Sequence, residues 1–107
     1  MKYVSTRSDK YKVESAEAIK TGIAPDGGLF VPEEIPQLSL DEIEKFANLS
    51  YPELAKKILS LYLTDYTEEE LSDCVNSAYT SEKFESEAIA PLHKLDDKAF
   101  VLELWHG

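Results

Sequence analysis

The chain has 107 residues, 43% hydrophobic and 30% charged, which fits one globular unit with a single core. Twenty-one acids against eleven bases leave a net charge of −10. That charge repels phosphate backbones and anionic lipids, arguing against nucleic-acid and membrane-surface roles. No stretch approaches the ~20 apolar residues of a membrane span. Met1-Lys2-Tyr3-Val4-Ser5 carries no apolar leader core, and the single Cys74 fits a reducing compartment, so a cytoplasmic location is expected.

In chain order, Tyr3-Val4-Ser5-Thr6 has strand-forming residues. Ser15 to Lys20 could form a short helix ended by Gly22 as its C′ residue. Pro25-Asp26-Gly27 is a turn signal, since proline presets φ and glycine accepts φ > 0. Leu29-Phe30-Val31 then reads as a short buried strand closed by Pro32.

The middle of the chain carries three helix starts. Ser39, Ser50 and Thr67 each precede a glutamate by three positions, at Glu42, Glu53 and Glu70, which is capping-box spacing. Apolar or aromatic staple pairs flank each one: Leu38 with Ile43, Leu49 with Leu54, and Tyr66 with Leu71. The first helix is expected over Ser39 to Ala47, with Leu40, Ile43 and Phe46 inward. Tyr51, Leu54, Ala55, Ile58 and Tyr62 form the apolar face of the second, and Leu71, Cys74, Val75, Ala78 and Tyr79 that of the third. A core of Leu54, Ile58, Tyr62, Leu71, Val75 and Tyr79 follows. Extended segments are expected at Ile89-Ala90-Pro91-Leu92 and from Phe100 to Leu104, joined by a turn at Leu95-Asp96-Asp97-Lys98. The class is α+β, mostly helical with a few short strands.

Residues able to carry chemistry are sparse. Gly27-Gly28 could let a backbone approach a phosphate, but no helix N-terminus or lysine follows as a phosphate loop requires, so a tight turn is the preferred reading. Arg7, the sole arginine, could hold a carboxylate or phosphate bidentately, or pair internally in so acidic a domain. The internal salt bridge is the favoured reading. His93 and His106 lack partners at metal-ligand spacing. Cys74 reads as a core residue. The acids Asp65, Glu68, Glu69 and Glu70 lack the alternating ligands and central glycine of a calcium loop.

Several segments together resemble the N-terminal domain of the threonine synthases, pyridoxal phosphate (PLP) enzymes that make threonine from phosphohomoserine. They are Tyr3 to Arg7, Gly22 to Pro32, Leu49 to Leu54, Ala78-Tyr79, Ala90-Pro91-Leu92 and Glu103-Leu104-Trp105-His106-Gly107, in family order. Where the family usually has a glycine after Ser-Thr-Arg, Ser8 stands here, so the local turn must form without it.

The resemblance implies that residues 1–107 are the N-terminal domain of a fold-type II-like PLP enzyme, cut before its catalytic domain. His106 and Gly107 would begin a motif that continues Pro-Thr and then Ala-Phe-Lys-Asp, whose lysine forms the Schiff base. The expected cofactor is therefore PLP in the parent and none on this chain, which should be inactive alone. Its expected partners are the missing catalytic domain and, in the parent, a small-molecule substrate. Arg7 is a candidate substrate contact, with no catalytic or metal residue assigned. Two other readings stand beside this one: a piece of a threonine synthase-like phospho-lyase, or a complete acidic interaction module.

Overall fold

The computed structural model describes residues 1–106. Its elements run β1 (Tyr3–Ser5), β2 (Lys12–Val13), α1 (Ser15–Thr21), β3 (Phe30–Pro32), α2 (Leu40–Phe46), α3 (Tyr51–Tyr62), α4 (Glu68–Ala78), β4 (Leu92–Lys94) and β5 (Phe100–Leu102). Four helices and a few short strands bear out the α+β expectation. Two separate antiparallel sheets form, one ordered β2-β1-β3 and the other the β4–β5 hairpin. The Cα radius of gyration is 16.3 Å, against roughly 13 Å for a compact domain of this length.

The helix starts fold as their sequences specify. The Glu42 and Glu70 carboxylates each accept from the cap residue's N–H at 2.8 Å, while Ser39 and Thr67 accept in return from the glutamate N–H groups. Glu53 accepts from both the N–H and the hydroxyl of Ser50, at 2.8 and 2.6 Å. Such caps stabilise a helix start by about 1 kcal/mol each. Pro52 sits in the first turn of α3, where a missing N–H removes no bond.

The core is narrower than the apolar patterns predict. Leu71 and Val75 are each 3% exposed, at i and i+4 on α4. Leu54, Ile58, Tyr62 and Tyr79 are only half-buried. Cys74 and Ala78, expected inward, are exposed, because the buried line of α4 runs through Leu71 and Val75 and does not extend to their flank. On α2, Leu40 and Ile43 are exposed and only Phe46 is half-buried. A groove of about 400 Å³ opens between α2 and α3, lined by Phe46, Leu49, Lys57 and Leu61 among others. Aromatic edges close the far end of α4: Tyr79 meets Tyr51 edge-on at 4.9 Å between ring centroids and Phe84 at 5.7 Å.

α1 runs one residue further than expected and stops at Gly22, whose φ of +74° ends it. Glu14, at its N-cap, makes no side-chain cap bond. Asp65, from the α3–α4 connection, caps α1 instead, accepting from the Ala16 N–H at 2.9 Å and from the N–H and hydroxyl of fully buried Ser15. Burial works to raise the Asp65 pKa, but these bonds win and hold it below the usual carboxylate range. The Tyr3 hydroxyl donates to the Tyr62 carbonyl at 3.3 Å, tying the first sheet to the end of α3.

Strand expectations need three corrections. β3 is shifted by one residue, so Pro32 lies inside it, opposite Tyr3; this is tolerable because β3 is an edge strand. It is not fully buried either, since Leu29 and Val31 are exposed. In the 89–92 segment only Leu92 joins a strand. Ile89 instead takes φ +63°, a strained conformation for a β-branched residue that costs about 1–3 kcal/mol.

Candidate functional site

Two places bring the predicted residues into contact with partners. The first is built where the end of β1 meets the turn before β3. Thr6 N–H donates to the Leu29 carbonyl at 2.9 Å, and Leu29 N–H returns a bond to Thr6 Oγ1 at 3.0 Å. Between these strands Asp26 acts as a clamp. Its Oδ1 accepts from Ser5 Oγ at 2.7 Å and Gly28 N–H at 3.0 Å, and its Oδ2 from Ser8 Oγ at 2.8 Å. The Ser5 hydroxyl, helped by Gly28 and Ser8, holds the Asp26 carboxyl below its usual range despite some desolvation.

The glycine pair is explained by this clamp. Gly27 has φ +77°, and Gly28 lies so close to β1 that a Cβ there would sit 2.1 Å from Ser5 Oγ and 3.1 Å from the Arg7 nitrogen. The tight-turn reading of Gly27-Gly28 therefore describes the geometry: the close approach is to the protein's own strand. Ser8 needs no left-handed backbone, since Ile89 is the one non-glycine residue with positive φ among the described residues. In place of a glycine's freedom it contributes a second hydroxyl to Asp26.

Arg7 is exposed and lies over Gly27. Its Nη1 donates to the Asp26 carbonyl at 3.0 Å. Among the described residues it makes no ion pair, which corrects the salt-bridge expectation. Two carboxylates of this region are engaged otherwise: Asp26 by the Ser5 and Ser8 hydroxyls and Asp65 by the start of α1. A fork anchored at one nitrogen, on a surface of net charge −10, can receive an anion.

The second place is the region after β5. His106 Nε2 lies 2.8 Å from Glu103 Oε2, and the pair is largely shielded from water. The other ring nitrogen, Nδ1, is buried without a partner among the described residues. Glu85 N–H donates to the His106 carbonyl at 3.0 Å, and Trp105 packs on the imidazole at 5.5 Å between centroids. Gly107, the other residue of the His-Gly pair, lies outside the described residues. His93 stands apart, exposed on β4 and paired in register with Val101. Sequence reasoning missed the Asp26 clamp and the Glu103–His106 pair. The Glu-x-x-His spacing was a visible signal for the second; the first joins residues about twenty positions apart and left none.

Comparison with known proteins gives this arrangement a family. A family model described as the threonine synthase N terminus matches residues 2–79. The chain is 39% identical to human "Threonine synthase-like 2" over its whole length, and 39% identical to the threonine synthase of Schizosaccharomyces pombe over 98% of it. Its fold superposes on PLP-bound threonine synthase from Brucella melitensis with a TM-score of 0.86 at 36% identity, and on the yeast enzyme with 0.83 at 35%, covering 100% and 99% of this chain. It spans only about a fifth of those relatives, 22% and 20% of the two sequences and 23% and 22% of the two structures. The match to the full-length relatives runs through both candidate places, from the segment after β1 that carries Arg7 to His106: the chain belongs to the threonine synthase N-terminus family.

Proposed function

We propose that residues 1–107 are the N-terminal domain of a PLP-dependent threonine synthase, whose parent converts O-phosphohomoserine and water to threonine and phosphate. The observation that carries this is the whole-chain match to threonine synthases in both sequence and fold. When bound in the parent, PLP supplies the electron sink for the carbanion chemistry. The ten lysines here all lie outside an Ala-Phe-Lys-Asp context, so no chemical step is assigned to this chain. Its work is to hold one side of the cleft and to carry the chain through β5 toward the segment that follows His106. The lone thiol fits a cytoplasmic setting, and no described helix is long and apolar enough to cross a membrane.

Arg7 is the proposed anion contact. A phosphorylated substrate approaching a domain of charge −10 needs local positive charge, and this is the chain's sole guanidinium. Replacing it by lysine in the parent keeps the charge but removes the planar fork. A raised KM with unchanged melting temperature is expected. A lowered melting temperature with normal KM would reduce Arg7 to a brace on the Asp26 turn.

Phosphate release from phosphohomoserine tests the whole proposal. The longer gene product should release phosphate and form threonine, while the 107-residue chain with PLP should stay at background. Turnover by the short chain, or none by the long one, would refute it. The equal identity to a threonine synthase-like protein favours one second reading, a phospho-lyase acting on a related phosphorylated hydroxy-amino compound. Phosphate release without threonine would select it.

A further inference from the structure

The Arg7 guanidinium rests on a turn whose own acid does not pair with it. Its Nη1 donates to the backbone carbonyl of Asp26 at 3.0 Å, while the carboxylate of that same residue forms no ion pair with Arg7. Gly27 makes the seating possible: a Cβ there would lie 2.9 Å from Nη1 and 3.5 Å from Cζ. Arg7 is thus held through a neutral oxygen and keeps its full charge.

Three donors hold the Asp26 carboxylate elsewhere. Ser5 Oγ and the Gly28 N–H fill Oδ1 at 2.7 and 3.0 Å, and Ser8 Oγ fills Oδ2 at 2.8 Å. Ser5 is buried and its hydroxyl also accepts from the Arg7 N–H at 3.1 Å, so that bond belongs to the strand end. Ser8 is half-buried and alone secures Oδ2. The acid is ionised at neutral pH, because these bonds hold its pKa below the usual carboxylate range. A carboxylate oxygen released beside a guanidinium takes up its fork in charge-assisted hydrogen bonds and leaves less of it for an incoming anion.

We propose that Asp26 and Ser8 are positioning residues of the Arg7 anion site. Asp26 seats the guanidinium on its carbonyl, and the Ser8 hydroxyl keeps the Asp26 carboxylate off it, so that the fork stays open to the substrate's phosphoryl group. This rests on the proposed role of Arg7 as the anion contact. Loss of the Ser8 hydroxyl frees Oδ2 without touching Arg7, and the acid of the turn then becomes a competitor of the substrate. Ser8 therefore governs anion affinity without contacting the anion, and it does so through Asp26.

Steady-state kinetics on phosphohomoserine and calorimetric titration with inorganic phosphate, both on the longer gene product, test this. Ser8→Ala should raise KM and the phosphate Kd roughly tenfold, the worth of one charge-assisted contact, with a smaller change in kcat. Ser8→Thr restores a hydroxyl and should recover most of that affinity. Adding Asp26→Asn to Ser8→Ala removes the competing charge and should bring both constants back toward those of the unsubstituted protein, whereas a turn that was merely loosened would be damaged further. Normal phosphate affinity in Ser8→Ala, or no recovery in the double variant, would overturn the inference. Arg7→Lys separates it from the reading on which it rests. If Arg7→Lys weakens phosphate binding and Ser8→Ala does not, Arg7 remains the anion contact and only the positioning role falls. If Arg7→Lys leaves phosphate binding intact, the Arg7 contact fails and this inference with it.

Discussion

The strands β1 and β3 are three residues long and antiparallel, and so are β4 and β5, yet the two pairs differ in what stands behind them. The first pair has a third strand beside it, an aspartate clamped between its ends, and a tyrosine bonded to α3. The second has neither a third strand nor a covered face among the described residues. Strand length and local sequence are thus weak predictors of how firmly a sheet is held. What separates the two sheets is side-chain anchoring from distant parts of the chain. The comparison can be broken by showing that anchored positions tolerate substitution or that hairpin positions do not.

The largest effect should come from the α3–α4 contact that supports the anchored body. Leu71→Ala removes one of the most buried side chains and should destabilise the chain by about 2–5 kcal/mol, read as a shift of the urea midpoint at constant slope. Ile58→Ala, on the half-buried and grooved face of α3, should cost less. If Ile58 proves as sensitive as Leu71, the core is broader than the exposures indicate.

Next comes Gly28→Ala. The new Cβ would fall on the Ser5 hydroxyl and force β1 and the turn apart, an overpacking effect of about 1–3 kcal/mol. The Gly28→Ala, Ser5→Ala double variant should regain part of the loss, because the atom met first is gone. No recovery would place the conflict at the Arg7 nitrogen and the Asp26 carboxylate instead, each 3.1 Å from the added Cβ.

A smaller effect is expected at the long-range cap. Asp65→Ala leaves the first N–H groups of α1 unpartnered and should cost about 0.5–2 kcal/mol. It also has a pH signature. The folded-state pKa of Asp65 is depressed, so its contribution is complete above the unfolded value and fades as pH falls below about 4. Asp26, Glu42, Glu53 and Glu70 share that sign, the glutamates through the serine and threonine caps that donate to them. All five lie in the anchored body. Acid should therefore loosen the body, and Asp65→Ala should make the fall in melting temperature below pH 4 shallower. An unchanged acid limb would show that the Asp65 bonds do not form in solution.

The sequence made some of this legible and hid the rest for physical reasons. Capping boxes are local, three residues apart, so all three were readable. The Arg7 pairing was misread because composition counts carboxylates without saying which are occupied; Asp26, whose backbone carbonyl Arg7 bonds, has its carboxylate filled by Ser5, Ser8 and Gly28. Cys74 was misread because helical periodicity names a face but not its width. β2 was missed because two residues, Lys12 and Val13, carry no pattern and are strand only by pairing with β1. Arg7 was found as the sole arginine and the role of His106 through resemblance to a family, whereas the Asp26 clamp required the folded chain.

The smallest expected effect is the sharpest test of the comparison. Phe100→Ser replaces a large apolar side chain in the centre of a strand, which in a covered sheet would be among the most damaging changes available. In the 107-residue chain Phe100 is 54% exposed and faces solvent beside Leu92 and Leu102. Little burial is lost, so the change should stay within about 0.5 kcal/mol, as at ordinary surface sites. Solubility should rise, because an exposed apolar patch shrinks. Thermal melts of the variant and the parent chain, matched in concentration, decide it. A drop comparable to that of Leu71→Ala would mean that the hairpin is already packed in the chain alone. The contrast between an anchored and an open sheet would then fail.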